Sequence, residues 1–252
     1  ALRTLFNRLL FIRPKIGKSM SSSCCGLCYL RIMKFIPNIL TLGNAALGCS
    51  ALFFIAILDF KTATVCVLLA SFFDFLDGFV ARAMGLTSRF GAELDSLADV
   101  ISFGVVPGAL ATVMLTTINV DYPWILLGFL VTLASAYRLA KYNTSVNNQT
   151  YFRGLPTPAN ALLWIGVPHL NIDLTFSQVL AGIVITSFLL NSSLVFYRLQ
   201  IKNTLSSVVF VLLILILLLV LWLQFNHGAW SLAIAIYILF SVVYSFIPKS
   251  KD

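Results

Sequence analysis

The chain has 252 residues, 60% of them apolar and only 10% charged, with a net charge of +8 and a mean hydropathy of +0.96. This composition excludes an ordinary soluble domain and supplies many windows of about 20 apolar residues, the length a membrane-spanning helix needs. It predicts one all-α, polytopic transmembrane bundle over residues 33–252, preceded by an N-terminal segment, 1–32.

In that first segment, "LRTLFNRLLFIRPKIGK" sets Leu2, Leu5, Phe6, Leu9 and Leu10 on one helical face among basic residues. The pattern suits an interfacial helix on the cytoplasmic leaflet. A surface anchor, a targeting remnant and a mis-assigned start ahead of Met33 are all compatible with it, and no function is assigned to it. "CCGLC" (Cys24, Cys25, Cys28) is crowded like a metal site, but no His or second Cys pair lies near to complete four ligands. These read as free juxtamembrane thiols, with acylation the alternative. The odd total of five, with Cys49 and Cys66, gives no disulfide framework.

Hydropathy then predicts about eight spans, at roughly 36–58, 62–84, 94–117, 122–140, 157–171, 174–196, 205–223 and 229–247. With the N-terminus cytoplasmic, sixteen of the seventeen Lys and Arg residues fall on the cytoplasmic side and only Lys61 opposite. Such a bias is the positive-inside signature. The basic balance therefore reflects topology and attraction to anionic lipid, and a nucleic-acid partner is not expected. The fifth span is short and bracketed by "LPTP" and "GVPHLN"; without it, Arg198, Lys202, Lys249 and Lys251 would all lie outside.

The first span opens with "KFIPNILTLGNAALG", where Asn38, Thr41 and Asn44 recur at three-residue steps as a polar stripe. Two readings stand: helix-packing glue beside Gly43 and Gly48, or a face turned to a polar ligand. The second span ends in Asp74, Asp77, Gly78, Ala81 and Arg82. The short link "GLTSRFG" forces an antiparallel hairpin, so Asp95 and Asp99 on the third span return to the same cytoplasmic end. "YRLAKYN" and "YFRGLPTPAN" put more polar chemistry there. The last two spans carry no charge and read as scaffold.

Residues three or four apart share a helical face, so Asp74 with Asp77, and Asp95 with Asp99, form two facing pairs. An Asp at membrane depth costs roughly 2.5–3.5 kcal/mol on the lenient insertion scale, or about 10 kcal/mol for four, before mutual repulsion. Only Arg82 and Arg89 lie within the stretch to offset it. Divalent metal is the economical answer. Hard oxygen ligands without His or Cys select Mg²⁺, Mn²⁺ or Ca²⁺ over Zn²⁺, and four Asp could hold two ions, an arrangement suited to displacement at phosphorus. Solvated helix-end aspartates would be the bland alternative, and a carboxylate-based ion transporter the rival from another class. The midplanes of these spans carry no matching relay.

The spacing Asp74-x2-Asp77-Gly78-x2-Ala81-Arg82-x8-Gly91-x3-Asp95-x3-Asp99 fixes eight residues over 26 positions. It resembles, without departure, the signature of the CDP-alcohol phosphotransferase family. "IPNILTLGN", "TSRFGAELDSLADVISFGVVPG", "YRLAKYN" and "YFRGLPTPANA" extend the resemblance over roughly residues 33–185, most closely to the membrane-embedded branch that uses L-serine as acceptor.

The resemblance implies a six-helix catalytic core and transfer of a phosphatidyl group from CDP-diacylglycerol to an alcohol, with release of CMP. It makes Asp74, Asp77, Asp95 and Asp99 the site of Mg²⁺ or Mn²⁺, with a pair of ions expected, and Asp99 the general base. Gly78, Ala81, Arg82 and Gly91 would line the CDP pocket, with Asn38 and Thr41 on the cytidine side. An anionic serine carboxylate wants a cation, and Arg138 and Arg153 are the favoured candidates; positive-inside anchoring is their alternative role. Glycerol 3-phosphate and inositol phosphate remain alternative acceptors. A homodimer in a prokaryotic plasma membrane, with both termini cytoplasmic, is the implied setting.

Overall fold

A computed structural model describes residues 35–85, 88–144, 154–170, 172–192, 231, 233–236 and 238. Their regular structure is entirely helical, with no strand among the described residues. In chain order these are α1 (Phe35–Ala56), α2 (Phe60–Met84), α3 (Arg89–Asp99), a π-helical stretch Val100–Val105 and α4 (Val106–Thr117). A 3₁₀ stretch Trp124–Phe129 then leads into α5 (Leu130–Thr144). After it come α6 (Thr157–Gly166), a 3₁₀ turn Val167–Leu170 and α7 (Phe176–Asn191). The chain divides into two compact units, Ala1–Ile36 and Pro37–Asp252. The expected interfacial helix within 1–32, and the "CCGLC" cysteines, lie outside the described residues.

Four helical lengths are long and apolar enough to cross a membrane: Phe35–Ala56, Phe60–Met84, Arg89–Thr117 and Trp124–Thr144. They match the first four expected spans and make this an integral membrane protein. The third starts five residues before the apolar window does, because Ser88 caps it and accepts from the Gly91 N–H at 3.0 Å. Four of the eight expected spans are thus seen at full length among the described residues. At the fifth, a 10-residue helix is followed by a 4-residue 3₁₀ turn, together ~20 Å at 1.5 Å per residue. Its Ala161, Trp164 and Ile165 are buried in the bundle. Helix α7 is predominantly apolar and 16 residues long, and 205–223 and most of 229–247 lie outside the described residues.

The rod from Arg89 to Thr117 passes through Pro107, which lacks an N–H and crowds the preceding turn. The π-helical stretch just before it widens that turn and lets the helix continue. This stretch is also the hub of the bundle, packing against α2, α5 and α6. It meets α1 where the Ser102 hydroxyl donates to the Asn44 carbonyl at 3.0 Å. Gly48 permits that approach, since a Cβ there would stand 2.9 Å from the Ser102 Cα. Phe103, Val106 and Leu110 fill the core with Ala51, Val67, Val131, Ala161 and Ile183 from the surrounding helices.

Lipid reverses the usual distribution of polarity. Phe53, Phe72, Leu133 and Phe188 face outward, while Asn44, Ser102, Ser135 and Asn160 are fully buried. With hydrocarbon outside, close packing and interhelical hydrogen bonds hold such a bundle together.

Candidate active site

Helix α2 ends at Gly85, whose φ of +65° provides the left-handed cap that a side chain would strain. The chain restarts at Ser88, and this tight reversal returns α3 beside α2. One carboxylate oxygen from each of Asp74, Asp95 and Asp99 then lies within 4.8 Å of the other two. Asp77, the fourth expected ligand, stands outside that triad and is buried against α1. It accepts from the Thr41 hydroxyl at 2.6 Å. The same hydroxyl lies 3.0 Å from the Pro37 carbonyl. It has one proton to give, and the shorter bond to the charged oxygen takes it.

Asp99 sits in the field of Asp74, Asp95 and Asp77, while Arg82 offsets Asp74, Asp77 and Asp95 but is exposed. The Oδ1 of Asp95 is buried without a hydrogen-bond partner among the described residues. Converging hard oxygens, an excess of negative charge and an orphaned carboxylate oxygen fit a divalent cation of the Mg²⁺ or Mn²⁺ type. Cys49 and Cys66, the described thiols, are elsewhere along α1 and α2.

Beside the triad, a groove of about 230 Å³ opens between α1, α2 and α3. All six residues expected at the nucleotide (Asn38, Thr41, Gly78, Ala81, Arg82 and Gly91) line it, together with Asp77 and Asp95. The two glycines shape its walls. A Cβ on Gly78 would stand 3.2 Å from Arg82 Nη1, and one on Gly91 3.1 Å from Ser88 Oγ. Either would crowd a polar group that borders the groove.

Arg138 is on α5, 9% exposed and within electrostatic range of Asp99. Arg153 lies outside the described residues. Two contributors had no assigned role in the expected site. Asn44, the third member of the stripe on α1, donates through Nδ2 to Asp99 Oδ1 at 3.4 Å; its three-residue step from Thr41 was the signal. Ser88 lines the groove as well as capping α3, and a Ser just before a helix start foretells only the cap. Asn160 of "LPTPAN" is fully buried, and neither of its amide atoms has a partner among the described residues.

The family model for CDP-alcohol phosphatidyltransferases matches residues 34–243, the greater part of the chain. The chain belongs to the CDP-alcohol phosphatidyltransferase family. Among curated members, it is 38% identical over 133 residues to the CDP-diacylglycerol–serine O-phosphatidyltransferase of Helicobacter pylori strain J99, covering 50% of this chain and 54% of that protein. To the archaetidylserine synthase of Methanothermobacter thermautotrophicus it is 37% identical over 136 residues, 52% of this chain and 58% of the other. To the Bacillus subtilis CDP-diacylglycerol–serine O-phosphatidyltransferase it is 31% identical over 152 residues, 60% and 82%. The match thus spans about half the length of the first two relatives. All eight residues of the family signature lie within the matched region, and the structure gathers them at one end of α2 and α3.

Proposed function

We propose that this chain transfers the phosphatidyl group of CDP-diacylglycerol to the hydroxyl of L-serine, giving phosphatidylserine and CMP. The observation that carries the reading is the adjacency of the Asp74–Asp95–Asp99 triad to a polar groove bordered by Arg82. The serine is supported by the printed activities of the relatives from Helicobacter and Bacillus.

In this reading the CDP head occupies the groove, with Arg82 toward its phosphates and Asn38 and Thr41 toward cytidine. The acyl chains stay among the lipid-facing side chains. Asp74, Asp95 and Asp99, with Asp77 at the border, would hold one or two Mg²⁺ or Mn²⁺ ions, which when bound supply charge neutralisation to the pyrophosphate. Asp99 takes the proton of the serine hydroxyl. The serine oxygen bonds to the phosphatidyl phosphorus, the phosphorus–oxygen bond to CMP breaks, and CMP carries the electron pair away. Asn44 holds Asp99 from behind and leaves its second oxygen for the acceptor. Carboxylates crowded by like charge suit a base, provided the hydroxyl sits within hydrogen-bond reach.

The distribution of basic residues supports a cytoplasmic active site in a prokaryotic plasma membrane. Exposed apolar faces on α1 and α2 are compatible with a homodimer. The deciding measurement is CMP release by purified protein from CDP-diacylglycerol with L-serine, glycerol 3-phosphate or inositol phosphate, alongside ion flux in liposomes. Serine-dependent release is expected. Release with glycerol 3-phosphate alone would overturn the acceptor, and flux without CMP release would overturn the enzyme.

A further inference from the structure

We propose that Asn44 and Arg138 form the two poles of a subsite for a zwitterionic acceptor, the Asn44 carbonyl oxygen receiving an ammonium and the Arg138 guanidinium a carboxylate. The inference rests on the serine reading above and adds to it the groups that would read an amino acid.

Asn44 is fully buried. Its Nδ2 donates to Asp99 Oδ1, and a carboxylate can only accept, so the amide orientation is fixed. The other end of the amide, Oδ1, then points away from Asp99 and is buried with no hydrogen-bond partner among the described residues. The helix that carries it is fixed: the Asn44 backbone carbonyl accepts from Ser102, and Gly48 brings the same helix face onto Ser102 one turn later. A buried carbonyl left unpaired is unfavourable, yet it stands beside the group that would take the acceptor's proton.

Arg138 is nine-tenths buried on α5, the helix packed against the Val100–Val105 stretch that follows Asp99, and lies within electrostatic range of that carboxylate. Its Nε has no hydrogen-bond partner among the described residues. The Nε edge of a guanidinium offers one of the forked donor pairs that match a carboxylate. Asp99 therefore touches a side chain with an acceptor to spare and feels the charge of one with a donor to spare, both counted among the described residues.

An acceptor whose hydroxyl reaches Asp99 meets an ammonium site in the field of the carboxylates and an anion site at the guanidinium. An α-amino acid bearing a β-hydroxyl carries all three groups on adjacent carbons. A phosphorylated alcohol brings acceptor oxygens only, and would leave Asn44 Oδ1 unpaired beside added negative charge. A site built on such hydrogen bonds discriminates strongly against ligands that lack the partner.

The test compares acceptors on purified, membrane-reconstituted protein. CMP release is measured with L-serine, with glycerate (no amine) and with ethanolamine (no carboxylate), for wild type, Asn44→Ala and Arg138→Lys. Wild type is expected to prefer serine over each analogue by about tenfold or more. Asn44→Ala should raise the KM for serine, leave the KM for CDP-diacylglycerol within about twofold, and collapse the serine-to-glycerate ratio toward one. Arg138→Lys should shrink the serine-to-ethanolamine ratio and spare the glycerate ratio. Unchanged ratios in both variants would overturn the subsite while leaving serine as the acceptor. Should Asn44→Ala fail to fold, the wild type decides: equal turnover of glycerate and serine would overturn it. No CMP release with serine, but release with glycerol 3-phosphate, would remove the serine reading and the subsite with it.

Discussion

At the start of α2, Asp59 accepts from the Thr62 backbone N–H at 3.2 Å and from the Thr62 hydroxyl at 2.5 Å, so its carboxylate is satisfied within one helical turn. At the far end of the same helix, Asp74 and Asp77 face Asp95 and Asp99 with the exposed Arg82 as their offsetting cation. The first arrangement is what a helix N-terminus asks of an aspartate: an acceptor for orphan N–H groups. The second answers no local need of the backbone. Asp95 Oδ1 has no partner among the described residues, and Asp77 draws its hydrogen bond from a different helix. Carboxylates serving the fold are thus paired locally, and those poised for a ligand are left short. Neutralising one of each should separate the two roles.

The largest effect is expected at Asp99. Asp99→Asn keeps size and shape but removes the proton acceptor, and CMP release should fall by about 10²–10⁴-fold. The thermal midpoint should stay near that of wild type, because no buried packing is lost. Near-normal turnover in Asp99→Asn would remove the base assignment. Cation binding is the next separation. Calorimetric titration of Mn²⁺ into detergent-solubilised protein should show tight binding that Asp74→Asn or Asp95→Asn weakens by tenfold or more, with Asp59→Asn indistinguishable from wild type. CMP release should stop in excess chelator and return on adding Mg²⁺ or Mn²⁺. Full activity in chelator would contradict a metal role for the triad.

How much of this was legible in the sequence depended on the range of the interaction. The pairing of Asp74 with Asp77 and of Asp95 with Asp99 follows from helical periodicity, and a hairpin only a few residues long could bring the pairs together in one way. The groove was legible for the same reason, since Gly78, Ala81 and Arg82 lie on the face that Asp74 and Asp77 define. What stayed hidden was azimuth. Nothing local says that Asp77 turns to Thr41 while the other three converge, because that depends on how far α1 rotates against α2. The π-helical stretch was hidden too, although Pro107 inside an apolar run signals that some adjustment must precede it. The break of the fifth apolar segment into a helix and a 3₁₀ turn was hidden as well, because hydropathy reports composition and not where a helix tightens.

Packing gives an intermediate test of the same contrast, since it probes what holds Asn44 beside Asp99. Gly48→Ala would bring a methyl 2.9 Å from the Ser102 Cα, forcing α1 off the π-helical hub. Overpacking of this kind destabilises by about 1–3 kcal/mol, read as a lower thermal midpoint. Activity measured well below that midpoint should also drop, as Asn44 is carried away from Asp99. A stability loss with unchanged turnover would mean that the α1–hub contact does not position the base.

The smallest effect belongs to Asp59. Its hydrogen bonds from Thr62, aided by Lys61, hold its carboxyl below the ordinary value of 3.8. A carboxylate whose folded-state pKa is depressed contributes stability above its unfolded pKa and loses that contribution as pH falls through the folded value. Asp59→Asn should therefore lower the thermal midpoint slightly at neutral pH, and the gap between variant and wild type should close as pH is taken below about 4. Turnover at neutral pH should be that of wild type, because Asp59 lies at the opposite end of α2 from the groove. A gap that persisted at low pH would show that the asparagine acts through something other than lost charge. A fall in turnover would break the distinction between the two ends of the helix.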